Sequence, residues 1–239
     1  LEAANQSVVE QWRKQLTALE GPASELPAAT FARCVALGAC DSAVVLDAEG
    51  GIAYPNVATP SEIAEVDDPA WRSAERKEFA EGDLAGAAEA YGRIASEASD
   101  ESLAARAEQA QARCLLKRGR RDEAMAVLER MRARPGAVDL AGRSLSADAE
   151  LRLLEVLGPE SPEGLAVRES LKRRLLTYGD SKLPADQRLF LMHRLLEIEG
   201  PEHGMTFPTL AAEELAADFV AAGGDFTADG KLRRSSADD

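Results

Sequence analysis

The chain has 239 residues, of which 45% are hydrophobic and 29% charged, a composition typical of soluble globular proteins and unlike that of disordered or membrane-embedded chains. Its net charge of −14 argues against a general nucleic-acid-binding protein, because affinity for a phosphate backbone depends on an excess of Lys and Arg. Aromatic residues make up only 5% while alanine is abundant, which favours closely packed helices over sheets.

Two helices are predicted at the start of the chain. Residues 5–20 carry apolar side chains at helical spacing and are followed by a Gly-Pro pair, so we expect an amphipathic helix there. A shorter helix is predicted from Pro27 to about Leu37, with Gly38 after its end. Because the first residue is Leu1 rather than Met, we expect the sequence to be a piece of a longer chain.

A β-hairpin is predicted next, because the apolar runs 43–46 and 52–54 flank an acidic, glycine-containing turn. A hairpin of this size is marginal by itself, so it must pack against helices. The string SAVVLDAEGGIAYPN resembles the hairpin found in extracytoplasmic sensor regions of bacterial membrane-bound histidine kinases. This resemblance implies an input domain that lies outside the membrane.

Two stretches between residues 71 and 131 share one spacing of glycine, alanine and a larger residue. In the first stretch Gly82 is followed by Ala87 and Tyr91. The second repeats this spacing with Gly119, Ala124 and Leu128. A tight turn needs a residue that tolerates positive φ, and closely crossing helices need a small residue, with a larger one filling the gap beside it. The pattern therefore predicts two successive helix-turn-helix units.

The strings WRSAERKEFAEGDLAGAAEAYGRIA and EQAQARCLLKRGRRDEAMAVLERM resemble tetratricopeptide repeats. Trp71 and the three residues that follow it in the pattern match the first copy, and Ala112 opens the second. The offset of 37 residues between the two glycines exceeds the family's period of about 34, and the expected proline after each second helix is absent. The units are therefore tetratricopeptide-like, which implies an α-solenoid with a concave groove.

The rest of the chain predicts two connectors and four helices. The connectors are residues 56–70 and 133–146, and the helices cover about 146–157, 162–178, 184–199 and 209–222, the second with Ser161 as N-cap. The first two of these helices could form a third, decayed unit. We predict a mainly α fold of tetratricopeptide-like repeats with one small hairpin. Its predicted segments are 1–60 (helices and hairpin), 61–224 (helical domain with caps) and 225–239 (polar tail).

No catalytic, metal or cofactor site is predicted. The two histidines, His193 and His203, stand in no metal-ligand spacing, and the sequence lacks a nucleophile elbow and a phosphate-binding glycine loop. His193 is also followed by Arg194 rather than by the acidic residue of a kinase phosphoacceptor motif. Cys34 and Cys40 are close enough to be bridged across a turn, but buried free thiols are the favoured alternative.

A candidate groove follows from the resemblance, because the first helix of each tetratricopeptide unit lines the concave face. The implied positions are Arg72, Arg76 and Phe79 in the first unit, and Arg106, Gln109, Arg113 and Lys117 in the second. Arginine side chains bind carboxylates through two parallel hydrogen bonds, so the partner is an acidic peptide, a protein or a small anionic ligand. The favoured alternative is that these arginines pair with the chain's own acids.

The functional hypothesis is a non-catalytic sensor domain of a bacterial membrane-bound histidine kinase, with a possible homodimer. It places the domain in the periplasm, as part of an inner-membrane protein. The alternative is a soluble cytoplasmic scaffold that recruits a protein partner and has no signalling role.

Overall fold

The structure is a computed structural model that describes residues 25–38, 40–58, 68–200 and 204–223, together with the backbone of the short strands 225–226 and 232–233. Within these ranges the chain is mainly helical, with nine helices and two short antiparallel strand pairs. The predicted helix over residues 5–20, His203 and most of the predicted polar tail lie outside the described residues.

The helices are α1 (Pro27–Ala36), α2 (Pro69–Glu75), α3 (Leu84–Glu97), α4 (Glu101–Lys117), α5 (Arg121–Arg132), α6 (Leu145–Leu157), α7 (Pro162–Thr177), α8 (Ala185–Glu199) and α9 (Leu210–Ala221). A π-helical segment (Arg76–Glu81) continues α2 directly. The strands are β1 (Val45–Leu46), β2 (Ile52–Tyr54), β3 (Asp225–Phe226) and β4 (Leu232–Arg233). The helices predicted at 27–37, 146–157, 162–178, 184–199 and 209–222 are confirmed as α1, α6, α7, α8 and α9, with ends that differ by at most one residue.

The predicted hairpin is confirmed as β1 paired antiparallel with β2. Its turn is closed by Asp47, whose carboxylate accepts hydrogen bonds from the backbone N–H groups of Glu49 and Gly51 at 3.0 and 2.7 Å. An aspartate that bonds the backbone two residues on is the side-chain chemistry that favours a turn at this point.

The contacts divide the chain into two compact units. The first comprises the described residues of Leu1–Asn56, Leu176–Ser181 and Thr206–Asp239. Its interior holds a cluster of aromatic rings, with Phe31 packed 4.9 Å from Tyr54 and 6.0 Å from Tyr178 between ring centroids. The two tyrosine hydroxyls donate to the buried carboxylate of Glu213 at 2.5 and 2.6 Å. The last helix, α9, thus belongs with the N-terminal segment.

The second unit comprises Val57–Leu175 and Lys182–Met205. In it each helix from α2 to α5 packs against the next along the chain, and α4 also contacts α6. One core cluster is formed by Ala105 of α4, Met131 of α5, Ala137 of the following connector, and two residues of α6, Leu145 and Ala149. The alanines that α4 and α6 contribute to this cluster allow the helix axes to come close together.

The two glycine turns adopt the conformation that their sequence predicts. Gly82 and Gly119 have φ values of +68° and +73°, a region in which a side chain would be strained. The alanines and larger residues that follow them in the pattern are all buried: Ala87, Tyr91, Ala124 and Leu128. Trp71 packs edge-on against Tyr91, with ring centroids 5.4 Å apart.

The remaining predictions on cysteines and caps are also answered within the described residues. Cys34, Cys40 and Cys114 are all free thiols, and Cys114 is fully buried. Ser161 caps α7, since its hydroxyl accepts a hydrogen bond from the Gly164 N–H at 3.0 Å. None of the described helices is both long enough and apolar enough to cross a bilayer.

Candidate functional site

Two adjoining hollows of about 390 and 370 Å³ form one cleft in the second unit, which we name the central cleft. They adjoin because Gln109, Asp148 and Arg152 line both of them. The first hollow is also lined by Asp139, Arg143, Ser144, Leu145, Asp186, Gln187, Phe190 and Leu191. The second is also lined by Ala112, Arg113, Leu116, Lys117 and Leu128.

Alternate helices supply most of this lining. The positions on α4 are 109, 112, 113, 116 and 117, a spacing that places all five side chains on one face of the helix. On α6 they are 145, 148 and 152, which again share one face. The positions on α8 are 186, 187, 190 and 191. The central cleft therefore crosses one face each of α4, α6 and α8.

One end of the cleft is basic and is built on a buried glutamate. The carboxylate of Glu78 accepts two hydrogen bonds from the Arg113 guanidinium, both at 2.7 Å, and one from the Lys117 ammonium at 3.2 Å. The Glu78 side chain is completely buried, whereas those of Arg113 and Lys117 are 43% and 48% exposed. Two cations share one carboxylate, so this end, which we name the basic end, keeps a positive charge in excess.

The pKa of Glu78 reports the same arrangement. Burial by itself raises the pKa of this carboxyl group, because it disfavours the charged form. Hydrogen bonds from Arg113 and Lys117, together with their positive charges, outweigh burial and lower the pKa from 4.5 to about 2. The hydrogen bond to Glu78 likewise raises the pKa of Arg113. Both partners are therefore charged at any physiological pH.

An exposed aromatic ring lies beside the basic end. Phe79 is 67% exposed, and its ring centroid is 5.7 Å from both the Arg113 guanidinium carbon and the Lys117 ammonium nitrogen. It belongs to the π-helical segment, in which consecutive Glu78 and Phe79 are respectively buried and exposed. Short π-helical segments occur frequently at functional sites.

The opposite end of the cleft, which we name the acidic end, has more carboxylates than cations. Asp139, Asp148 and Asp186 line the first hollow together with Arg143 and Arg152. Arg143 contacts Asp139 at 2.7 Å, while Arg152 contacts Asp148 at 3.9 Å and also Glu155, at 2.9 Å. Arg152 is thus paired with two acids of the chain, and Asp139 and Asp186 share the charge of Arg143, so carboxylates are in excess at this end.

A buried pair of hydrogen bonds fixes the wall of the acidic end. The Gln187 side chain accepts from the Ser144 N–H at 2.7 Å and donates to the Ser144 carbonyl at 2.9 Å. Ser144 is the N-cap of α6, so these bonds join the start of α6 to α8. Arg174 adds donations to the hydroxyls of Ser144 and Ser146 at 3.1 and 2.8 Å. Such links hold α6 and α8 in a defined position.

The residues predicted for the groove fall into three groups. Gln109, Arg113 and Lys117 line the central cleft, and Phe79 stands next to the last two. Arg106 is buried, with its guanidinium carbon 5.1 Å from the centroid of the Trp71 ring. The other two predicted residues, Arg72 on α2 and Arg76 in the π-helical segment, are exposed.

The alternative prediction of internal pairing describes Arg113 and Lys117, both of which bind Glu78. The sequence reasoning missed the contributions of α6 and α8, above all Asp148, Arg152 and Asp186. Asp148 and Arg152 are four residues apart, a spacing that the sequence shows and that places both on one helical face.

Among the described residues, no group of three or more His, Cys, Asp or Glu side chains could hold a metal ion, and His193 is exposed. Comparisons of this chain with protein-family models, with curated proteins and with solved structures gave no match. Functional inference therefore rests on the geometry of the central cleft.

Proposed function

We propose that this chain is a non-catalytic binding domain whose tetratricopeptide-like repeats hold an extended protein segment in the central cleft. The observation that carries the proposal is the lining of the cleft by one face each of the alternate helices α4, α6 and α8. In the repeat family that the sequence resembles, the first helix of each unit lines the concave face. Under this proposal α2–α3, α4–α5 and α6–α7 are successive repeat units.

Further support for the repeat arrangement comes from packing and turns. The helices from α2 to α6 pack in sequence on one another, and α4 contacts α6, which is the contact expected between the first helices of neighbouring units. The glycines between α2 and α3 and between α4 and α5 both have positive φ. The two helix pairs thus have the same kind of glycine turn and the same packing of one helix on the next, as expected for a repeated unit.

The form of the cleft favours a peptide over a compact small molecule. The face of α4 from Gln109 to Lys117 covers nine residues, or about 12 Å of helix, comparable to about four residues of extended chain. Its walls combine apolar side chains such as Leu116 with exposed charged ones such as Arg113. An extended segment can use both kinds of contact at successive positions, as peptides do in other grooves.

Panning a display library of random peptides against the chain tests this proposal. The variant Arg152→Trp fills the cleft where its two hollows meet, and Arg152 is 54% exposed, so the fold should tolerate the change. We expect selected peptides to bind this variant at least tenfold more weakly, which corresponds to a loss of about 1.4 kcal/mol in binding free energy. Arg93→Trp, on the exposed side of α3, is the matched control and should bind normally. Selection of peptides that bind both variants equally would refute the proposal.

The hairpin supports a more specific context for this binding domain. Its string resembles that of extracytoplasmic sensor regions in bacterial histidine kinases, and under this hypothesis ligand binding shifts the domain between two conformations. The alternative is a scaffold with no signalling role. The full gene sequence discriminates between the two hypotheses. Apolar spans of about 20 residues on both sides of this segment would support the sensor hypothesis, and a gene product without such spans would refute it.

A further inference from the structure

The two ends of the central cleft carry opposite charge, and this asymmetry specifies the ligand further. We infer that the bound segment is a mixed-charge peptide, whose acidic residues lie against Arg113 and Lys117 and whose basic residues lie against Asp186. This inference rests on the proposed function, because it assumes that the central cleft holds a peptide.

The basic end favours a carboxylate of the ligand. Arg113 directs two N–H groups to Glu78 and keeps 43% of its side chain exposed, while Lys117 donates only one bond to the same carboxylate and is 48% exposed. An ammonium group has three donors, so Lys117 keeps donors for a second acceptor. The buried carboxylate holds both cations in place, which reduces the entropy lost when a ligand binds them.

The acidic end favours a cation of the ligand. Asp186 is exposed, and its carboxylate accepts a hydrogen bond from the backbone N–H of Ala58 at 3.2 Å. Arg143 is close enough to interact with the charge of Asp186, but its guanidinium group contacts Asp139 at 2.7 Å, so these two carboxylates share one cation. The ring of Phe190, which lines the same hollow, is 54% exposed. A ligand arginine can stack on an aromatic ring while its guanidinium group binds a carboxylate.

The two ends are far enough apart to act separately. Lys117 lies about 12 Å along α4 from Gln109, the residue at which the first hollow begins. This length exceeds the Debye length of about 8 Å at physiological ionic strength, so the charges at one end only weakly cancel the field at the other. A ligand whose charges are all of one sign gains at one end and is repelled at the other. A ligand with both signs gains at both ends.

Four synthetic peptides test the inference, each with blocked termini so that only side chains carry charge. Two contain a pair of glutamates and a pair of arginines separated by about four small apolar residues, which matches the span above, in the two possible orders. The other two replace both charged pairs with glutamates only or arginines only. We expect one mixed-charge order to bind at least about tenfold more tightly than either single-sign peptide, with the advantage falling as salt is added.

Charge reversals assign each end of the ligand. Asp186→Arg should weaken the better mixed-charge peptide and strengthen the all-glutamate peptide, and Asp186→Asn, which keeps the hydrogen-bonding shape, should have a smaller effect. Lys117→Glu should weaken the same mixed-charge peptide and strengthen the all-arginine peptide. If Lys117→Glu fails to fold because of Glu78 nearby, Lys117→Met removes the charge while keeping the apolar stem.

Two results overturn the inference while leaving the proposed function in place. One is an all-glutamate or all-arginine peptide that binds the unmodified chain at least as tightly as both mixed-charge peptides. The other is binding of library-selected peptides that depends on Arg152 but is unaffected by every change at Asp186 and Lys117. If neither the synthetic nor the selected peptides bind in a manner that depends on Arg152, the proposed function itself is refuted.

Discussion

Replacing Glu78 with glutamine should destabilise the second unit, because it removes the buried charge that holds Arg113 and Lys117. A pKa lowered from 4.5 to about 2 corresponds to about 3 kcal/mol at neutral pH, at about 1.4 kcal/mol for each unit. The two cations are 43% and 48% exposed, so screening by solvent reduces the expected loss to about 2 kcal/mol.

The pH dependence of this effect has a defined sign. Because the folded-state pKa of Glu78 is below its unfolded value, the stabilisation is fully present above about pH 4.5 and is lost as the pH falls through about 2. At pH 3 about two fifths of it remains. The difference in unfolding free energy between the unmodified chain and Glu78→Gln should therefore shrink by more than half between pH 7 and pH 3.

Urea denaturation followed by the fluorescence of Trp71 measures this difference. The chain has two tryptophans, so Trp12→Phe makes Trp71 the single indole, and its ring contacts Tyr91 in the same unit. Glu89→Gln, an exposed acid on α3, is the matched control and should change stability by less than about 0.5 kcal/mol. A Glu78→Gln effect that is this small at pH 7, or equal at pH 7 and pH 3, would refute the reasoning.

Three further predictions concern other parts of the chain. Tyr178→Phe removes a buried O–H that donates to Glu213 at 2.6 Å and should lower the unfolding free energy by about 1–2 kcal/mol in urea titrations followed by circular dichroism; no loss would mean that the bond contributes nothing. Gly82→Ala should cost about 1 kcal/mol, because φ is +68° although the space for a methyl group is open. Gly179→Ala, at a position without positive φ and with ordinary contacts, should be neutral in the same titration, and equal effects would contradict the conformational argument. Burial and the nearby Glu78 carboxylate raise the pKa of the Cys114 thiol to about 11. At pH 8 this thiol therefore holds roughly a hundredfold less thiolate than an ordinary cysteine, and we expect it to be alkylated correspondingly slowly. Mass spectrometry of the labelled chain measures the rate of alkylation.

Buried glutamates hold several arginines of this chain in place. One glutamate is buried in the π-helical segment that continues α2, and one in each of α4, α6 and α8. In this order they are Glu78, Glu108, Glu150 and Glu199. Every one is paired with at least one arginine, at 2.7, 3.0, 3.4 and 2.6 Å respectively. Leaving any of these charges buried without a partner would be strongly unfavourable, so the arginines are fixed by the fold. The favoured alternative from the sequence, that the groove arginines pair with the chain's own acids, describes this use of Arg113.

The sequence by itself determined the features that depend on near neighbours. Helical spacing, N-caps and turn glycines act within a few residues, so the helices, the hairpin and the positive φ of Gly82 and Gly119 were all predictable. The face of α4 that lines the cleft was also predictable, because the positions 109, 113 and 117 follow from helical geometry once the helix is known.

Only the tertiary structure decided which charges stay available and how the units are composed. Glu78 and Arg113 are 35 residues apart, and nothing local to either one shows that they pair. The pairing of Tyr54 and Glu213 across 159 residues similarly joins the hairpin to α9 and defines the first unit. Such contacts depend on the global path of the chain rather than on local periodicity. The acidic end of the cleft arises in the same way, because α6 and α8 reach α4 only through folding.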